Sequence, residues 1–335
     1  MSASDPLISD LLLEIENLKV IFHGDRGSVT HAVDGLDLTI GRGQTLGLVG
    51  ESGCGKTVTA LSVMGLLPKA SAEVSGRIRF DGAELLSLSD RAMRNLRGDR
   101  LAMIFQEPMT SLNPSYSIGE QIAESLIHHR GLSRGQARAR TIELLRLVKI
   151  PSPEQRVDDY PHRLSGGMRQ RAMIALALAC DPELLIADEP TTALDVTIQA
   201  QILALMRDLK ASTGVAIILI THDLGVVAEI CDHVAVMYAG EIVEYAPVGA
   251  LFAAPQHPYT IGLLGSIPRL DVKAEELAAI EGMVPSMAEL PTGCRFAPRC
   301  PFVRERCMQA SPPLAAVGPG HRSRCIRAPL EELVA

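Results

Sequence analysis

The apolar positions along the chain form two kinds of predicted strand. Leu12–Phe22 and Val33–Ile40 partly alternate apolar with polar residues and are set off by glycine-containing turns, which predicts an antiparallel β layer. Other apolar segments are short and continuous, as in strands that are buried on both faces of a sheet. These segments are Thr45–Val49, Leu101–Phe105, Leu184–Ala187 and Ala216–Ile220.

Helical segments lie between these strands. The predicted helices are about Lys56–Leu67, Ser117–His129, Ser133–Val148 and Ile198–Leu209. Ser133 and Gln136 have the spacing of a capping box, and Pro68 is expected to end the first helix. A strand, a crossover helix and a further strand are typical of a parallel sheet. Val234–Met237 and Glu241–Tyr245 predict a closing hairpin.

The chain changes character near residue 250, beyond which prolines are frequent. We therefore predict a nucleotide-binding domain over residues 1–250, with a helical subdomain at about 115–180. Residues 251–335 are predicted to form a separate C-terminal region. No internal repeat is present in the sequence, so the chain carries one set of motifs.

Composition and charge narrow the class of protein. The chain has 335 residues, of which 47% are hydrophobic and 21% charged, as in a globular protein. Its formal net charge of −7 argues against a nucleic-acid-binding protein, whose surface is usually basic. No apolar run approaches the ~18 residues of a membrane span, and the first residues lack the apolar core of a signal peptide. We therefore expect a cytoplasmic location.

A glycine-rich loop follows the strand Thr45–Val49. Its sequence, Gly-Glu-Ser-Gly-Cys-Gly-Lys-Thr over residues 50–57, fits the phosphate-binding pattern G-x-x-x-x-G-K-[ST]. Glycines let backbone N–H groups turn toward phosphate oxygens, and the following helix adds the positive end of its dipole. Thr57 is expected to ligate Mg²⁺. The residues expected to contact nucleotide phosphates are Gly50, Ser52, Gly53, Gly55 and Lys56.

The strand Leu184–Ala187 is followed by two carboxylates, Asp188 and Glu189. Ligands of parallel sheets bind at the carboxyl ends of the strands. We expect Asp188 to hold Mg²⁺ through its water shell and Glu189 to polarise the attacking water. The alternative is a solvated acidic turn without a catalytic role.

A third motif lies between the phosphate loop and the acidic strand. The segment Leu-Ser-Gly-Gly-Met-Arg-Gln over residues 164–170 precedes a long helix, and this order of motifs resembles the ATP-binding-cassette (ABC) ATPases and their signature sequence. The resemblance covers roughly residues 12–250. Other matching positions are Gln106 as the Q-loop glutamine, Ala193-Leu194-Asp195 as the D-loop, His222 as the switch histidine and Phe22 as the adenine-stacking residue. For Phe22 the alternative is a core phenylalanine.

The resemblance implies a fold and a mechanism. The fold is α/β: a P-loop NTPase core with a parallel sheet, an antiparallel β layer, a helical signature subdomain and a small, irregular, cysteine-containing C-terminal region. Gln106 would ligate Mg²⁺ and sense the γ-phosphate together with His222. Glu189 would activate water for the hydrolysis of ATP.

The resemblance also implies partners. Ser165, Gly166 and Gly167 would close the ATP site of a second, identical or homologous cassette subunit, with Asp195 nearby. Two membrane permeases and, indirectly, a substrate-binding protein would complete the complex at the cytoplasmic face of the inner membrane. The segment Glu107–Pro114 is a candidate relay to the permeases, and no nucleic-acid partner is expected.

The segment after residue 250 resembles the tail of oligopeptide and dipeptide importers. The resemblance rests on Pro255–Thr260, on Leu263-Leu264 and on the cysteine-containing segment Leu290–Pro301. It implies ATP-driven import of di- or oligopeptides. Importers of nickel, glutathione or opines share much of the pattern and are the alternatives. A cassette ATPase that acts on nucleic acid, and an iron-sensing regulatory subunit, are less favoured because the importer tail, Glu189 and His222 are all present.

Four of the seven cysteines cluster near the end of the chain, at Cys294, Cys300, Cys307 and Cys325. In a reducing compartment such clustering indicates a metal before it indicates disulfides. The close C-x₂-C pairs typical of zinc sites are missing, and thiolates also suit iron–sulfur clusters. The resemblance implies a four-iron four-sulfur cluster (4Fe-4S), while zinc and free thiols remain alternatives.

Overall fold

The computed structural model describes residues 10–24, 27–106, 111–192, 195–266 and 280–330. Its strands are β1 (Leu11–His23), β2 (Val29–Gly41), β3 (Thr45–Val49), β4 (Ala72–Phe80), β5 (Ala83–Glu84), β6 (Leu101–Ile104), β7 (Leu184–Asp188), β8 (Ala216–Thr221), β9 (His233–Tyr238), β10 (Glu241–Pro247), β11 (Ala315–Gly318) and β12 (His321–Ser323). Its helices are α1 (Lys56–Val63), α2 (Asp90–Leu96), α3 (Ile118–Arg130), α4 (Arg134–Leu147), α5 (Pro153–Arg156), α6 (Gly166–Ala177), α7 (Val196–Thr213), α8 (Leu224–Ile230), α9 (Val248–Ala253), α10 (Pro258–Gly265) and α11 (Glu305–Gln309). Among these helices, none combines the length and the apolar character that crossing a bilayer requires.

The chain divides into two compact units. Within the described residues, the first unit contains 10–12, 41–44 and 87–220, and the second contains 13–40, 45–86 and 221–330. Residues on both sides of position 250 belong to the second unit. The predicted domain boundary there stays a prediction.

The first unit is built on three parallel strands, with β7 between β6 and β8. Leu184 of β7 pairs with Leu101 of β6 and with Ala216 of β8. All residues of these strands are buried, which explains why their sequences are continuously apolar rather than alternating. The strand predicted over Leu101–Phe105 ends one residue earlier, at Ile104.

Two helices of the first unit begin at capping boxes. Ser117 accepts from the backbone N–H of Glu120, and Ser133 accepts from that of Gln136. Because a capping residue keeps an extended backbone, α3 and α4 each begin one residue after the predicted start. The capping box predicted at Ser133 is confirmed.

The second unit contains an antiparallel sheet and a mixed one. The antiparallel sheet has the order β2-β1-β4-β5, with β4 antiparallel to both β1 and β5, and it confirms the predicted β layer. In the mixed sheet, β3 lies parallel to β9, and β10, β12 and β11 continue antiparallel to one another. The predicted hairpin is β9–β10, and the C-terminal region extends its edge through β12.

Two predicted helices have wrong bounds because the residues that cap them were not recognised. Helix α1 ends at Val63 instead of Leu67: the N–H of Leu66 donates to Leu61 O at 2.9 Å, and Gly65 takes a left-handed φ of 59°. These are the marks of a Schellman ending, which stops the helix before Pro68. Helix α7 exceeds the predicted Ile198–Leu209 because Asp195 caps its start and Gly214, with φ 69°, ends it.

Candidate nucleotide site and cysteine cluster

The phosphate loop joins β3 to α1 in the second unit, and two of its glycines are sterically required. Gly50 has φ 152°, and a Cβ there would lie 2.1 Å from Met237 O. Gly55 has φ 108°, and a Cβ there would lie 2.5 Å from Ala32 O. Both values are far below any real Cβ contact, so only glycine allows the loop to pack on its neighbours.

The loop presents some side chains outward and holds others inside. Lys56 is buried, and its Nζ donates to the carbonyls of Gly50 and Glu51 at 2.8 and 2.9 Å. Cys54 is fully buried beside it, and burial raises the pKa of the Cys54 thiol. Of the loop positions predicted to bind phosphate or Mg²⁺, Ser52, Gly53 and Thr57 are exposed, whereas Gly50, Gly55 and Lys56 are buried.

In the first unit, the end of β7 carries the two predicted carboxylates. Asp188 is 2% exposed, whereas Glu189 is half-buried and turns away from the strand with a left-handed φ of 47°. The N–H of Glu189 donates to Ile220 O at 2.9 Å, so the end of β8 supports this turn.

Gln106 and Glu189 are brought together although they lie 83 residues apart: Gln106 Nε2 donates to Glu189 Oε2 at 3.2 Å. Thr192 Oγ1 also donates to Glu189 Oε2, at 2.8 Å. Thr192 was not predicted from the sequence, in which a threonine three residues after the acidic pair is not a distinctive signal. The carboxylate of Glu189 is thereby aimed by two donors.

The signature segment begins α6 of the first unit. Ser165 caps the helix and accepts from the N–H of Met168 at 3.3 Å. A Cβ at Gly167 would lie 3.1 Å from the side chain of Ile198, and Gly166 has open space around it. The buried Gln170 donates to Pro190 O at 2.6 Å, which attaches this helix to the turn that carries Glu189.

The remaining predicted residues are distributed between the units. Asp195 caps the start of α7 in the first unit, and its carboxylate accepts from the N–H of Ile198 at 2.9 Å. In the second unit His222 is exposed after β8, and Phe22 lies half-buried near the end of β1, paired with Ala72. The D-loop residues 193–194, and residues 107–110 of the candidate relay, lie outside the described part of the chain.

The four clustered cysteines line one cavity of the second unit, together with Phe296, Phe302 and other apolar side chains. All seven cysteines are free thiols. Burial raises the pKa of Cys294 to about 11 and also raises the pKa values of Cys300 and Cys325.

The donor set of the cavity suits a thiolate-bound cluster, but the thiols are not placed around one ion. Among the described residues, no group of three or more His, Cys, Asp or Glu side chains is positioned to hold a metal ion. The segments are nevertheless in close contact: Cys294 N–H donates to Cys307 O at 2.7 Å, and a Cβ at Gly293 would lie 2.3 Å from that oxygen. Glycine at position 293 is therefore what allows the two cysteine-bearing segments to approach.

Two family models match the chain. One, described as "ABC transporter", matches residues 33–192, and the other, "Oligopeptide/dipeptide transporter, C-terminal region", matches residues 243–307. The first match spans the phosphate loop, Gln106, the signature segment and the acidic pair.

Curated relatives match over almost the whole chain. A probable peptide ABC transporter ATP-binding protein of Sinorhizobium fredii, y4tR, is 56% identical over 95% of this chain and 96% of its own length. The oligopeptide transport ATP-binding protein OppD of Salmonella typhimurium is 50% identical over 98% of this chain and 97% of its own length. The dipeptide transport ATP-binding protein DppD of Bacillus subtilis is 50% identical over 94% of both.

Solved structures match the cassette portion. A dimeric, post-hydrolysis structure of the ATP-binding cassette MJ0796 with ADP and Pi has a TM-score of 0.64 and 25% identity over 71% of this chain and 99% of that one. CbiO1 of Clostridium perfringens has a TM-score of 0.61 and 29% identity over 73% of this chain and 91% of that one. The predicted fold class and family resemblance are thus confirmed: the chain belongs to the ABC transporter ATPases that carry an oligopeptide/dipeptide transporter C-terminal region.

Proposed function

We propose that this chain hydrolyses ATP to drive the import of di- or oligopeptides through a membrane permease complex, at the cytoplasmic face of the inner membrane. The observation that carries the chemistry is Glu189, whose carboxylate projects beyond the buried Asp188 and is aimed by Gln106 and Thr192. The proposed identity of the cargo is based on the relatives, whose names specify peptides, oligopeptides or dipeptides.

Each of the predicted site residues has its own role in ATP binding or hydrolysis. The loop N–H groups and Lys56 bind the ATP phosphates, and Phe22 stacks on the adenine. Glu189 takes a proton from the attacking water, while Gln106 and His222 report on the γ-phosphate. Thr57, Asp188 and Gln106 are the proposed Mg²⁺ ligands, an oxygen donor set that this ion prefers. Bound Mg²⁺ would offset the negative charge of the phosphates.

A second cassette subunit is proposed to complete each ATP site. Ser165 caps, and Gly166 and Gly167 begin, a helix whose N-terminus favours anions, and the sequence contains one copy of this signature motif. Val196, next to Asp195, is 84% exposed, as expected for an apolar side chain that a partner covers.

The permeases are proposed to dock on a groove of the first unit. This groove has a volume of about 1390 Å³ and is lined by residues of α3, α4 and the segment Val157–Tyr160. Tyr116 and Tyr160 in its wall are 54% and 39% exposed, and exposed tyrosines are enriched at protein interfaces. The residues that line the groove come soon after Gln106 in the sequence. Docking of the permeases and sensing of the γ-phosphate by Gln106 would therefore be coupled.

The four clustered cysteines are proposed to hold the 4Fe-4S cluster, with zinc as the alternative. Their shared apolar cavity supports this, and metal binding would displace the thiol protons because the thiolate is the form that binds metal. A bound cluster would cross-link the C-terminal region through iron–thiolate bonds.

Iron and acid-labile sulfide in anaerobically purified protein test the cluster. We expect about four of each per chain, and we expect Cys307→Ala to lose most of both. Cys231→Ala, a buried cysteine outside the cavity, is the control and should change neither. One zinc per chain without sulfide would favour the alternative, and the absence of iron, sulfide and zinc would leave free thiols.

Transport is tested by purifying the chain from solubilised membranes together with its partners. We expect permeases and a second cassette subunit to co-purify, and ATP turnover to rise at least ~10-fold when a peptide-loaded binding protein is added. The peptide-free binding protein is the control. A chain recovered without membrane partners, or retained by nucleic acid, would contradict the transport assignment.

A further inference from the structure

Three groups of Glu51, the second residue of the phosphate loop, are each held by a different side chain. Its N–H donates to Tyr259 Oη at 2.8 Å, and its carbonyl accepts from Lys56 Nζ at 2.9 Å. Its carboxylate accepts from Arg299 Nη1 at 2.9 and 3.1 Å. Two of these three partners come from beyond residue 250, so the C-terminal region holds the start of the loop.

The guanidinium of Arg299 is held in place by backbone carbonyls in addition to its contact with the phosphate loop. Its Nε donates to Glu281 O at 3.0 Å and its Nη2 donates to Ile280 O at 3.1 Å. The side chain is only 5% exposed. Because these bonds leave the guanidinium little freedom, it meets Glu51 as a rigid donor with little entropy left to lose.

Tyr259 is equally constrained. Its ring is fully buried and packs against the rings of Tyr238 and Phe296, with centroids 4.6 and 5.4 Å away. Burial raises the pKa of its hydroxyl, which stays protonated and accepts from Glu51 through an oxygen lone pair. Without this acceptor the N–H of Glu51 would lose a hydrogen bond in a partly buried place.

A second set of contacts links the C-terminal region to the phosphate loop. Arg295 donates to Ala239 O and pairs with Asp34. Gly240, the residue after Ala239, donates its N–H to Cys54 O in the phosphate loop at 3.0 Å. Arg295 follows Cys294 directly and Arg299 precedes Cys300 directly, so both sets of contacts come from the cysteine-bearing segment.

We propose that Arg299 and Tyr259 are positioning residues of the nucleotide site. Arg299 neutralises Glu51 beside the bound phosphates, and together the two residues hold the loop in its phosphate-binding shape. This inference rests on the proposed binding of ATP at the loop. Neither residue touches the reacting atoms, so the effect acts through Glu51.

The charge of the Glu51 carboxylate allows the positioning role of Arg299 to be tested. With Arg299 removed, the carboxylate of Glu51 stays next to a site for a polyanion, and like charges in a partly buried place repel strongly. Glu51→Gln in the same chain removes that repulsion. A merely structural arginine would not be rescued in this way.

The experiment measures MgATP affinity, KM and kcat of the full chain. Arg299→Gln is expected to raise Kd and KM about 10-fold, with kcat within about 2-fold of the wild type. Arg299→Gln combined with Glu51→Gln should return Kd to within about 3-fold of the wild type. Arg299→Lys should recover part of the loss, and Arg306→Gln, an exposed arginine in α11, is the control.

Tyr259→Phe keeps the ring packing and removes only the hydroxyl, and with it the acceptor for the N–H of Glu51. It is expected to raise Kd about 3- to 5-fold, and it decides the question if Arg299→Gln does not fold. Folded variants with unchanged Kd, or a loss that Glu51→Gln does not relieve, would overturn the positioning role. Failure of the wild-type chain to bind MgATP would instead overturn the proposed function.

Discussion

Glu189→Gln is expected to lower the kcat for ATP hydrolysis by about 10²- to 10⁴-fold, the usual contribution of a general base. The amide keeps the size of the side chain and can still meet Gln106 and Thr192, but it cannot take a proton from water. ATP affinity should stay within about 3-fold of the wild type, because the change leaves the phosphate loop intact. Single-turnover hydrolysis and nucleotide titration measure the two quantities separately.

Glu183→Gln is the matched control for this variant. Glu183 precedes the opposite end of the same strand, β7, where its carboxylate pairs with Arg42 at 2.7 Å and with Arg100. The pairs lower the pKa of Glu183 through the hydrogen bonds from Arg100 and Arg42, which more than offset the effect of burial. We expect its loss to leave kcat within about 2-fold. Equal turnover in Glu189→Gln and wild type would remove Glu189 from the role of base.

Lys56→Met is expected to weaken MgATP binding about 100-fold, which corresponds to about 2.7 kcal/mol. Methionine keeps the apolar stem that packs inside the loop and removes only the ammonium group, whose charge-assisted contacts with phosphate are strong. Turnover at a fixed ATP concentration below the new Kd should fall in proportion. Equilibrium titration with ATP measures the change.

Two controls separate the charge of Lys56 from the shape of the loop. Lys69→Met alters an exposed lysine after α1 and should leave the affinity within about 2-fold. The midpoint of thermal unfolding reports whether the lost bonds to the Gly50 and Glu51 carbonyls destabilise the chain. Wild-type affinity in Lys56→Met would contradict phosphate binding by this loop.

Local geometry was largely predictable from the sequence. The phosphate loop, the buried strands and the capping box at Ser133 were recognised because each needs particular residues at fixed short spacings. Errors arose where the ending signal was not applied, as at Gly65 and Gly214. A helix end depends on one residue that accepts a left-handed backbone, which apolar periodicity does not report.

For the predicted site, the sequence indicated which residues take part but not how they contact one another. Gln106 and Glu189 could be named from their motifs, but their 3.2 Å contact depends on the parallel pairing of β6 with β7. Thr192 was missed because nothing in a hydroxyl three residues after the acidic pair requires it to turn back. Its role became visible only when the left-handed turn at Glu189 was known.

By itself the sequence determined the fold class, the family and the chemistry expected of the loop and the acidic strand, since motifs and periodicity encode local backbone shape. Only the tertiary structure decided that four cysteines share a cavity and that Tyr259 and Arg299, 208 and 248 residues from Glu51, bind it. Such contacts arise from the order and pairing of strands. The number of residues between two positions does not show whether they are in contact. No feature of the sequence distinguishes the hydroxyl or guanidinium that makes such a contact from others of similar length.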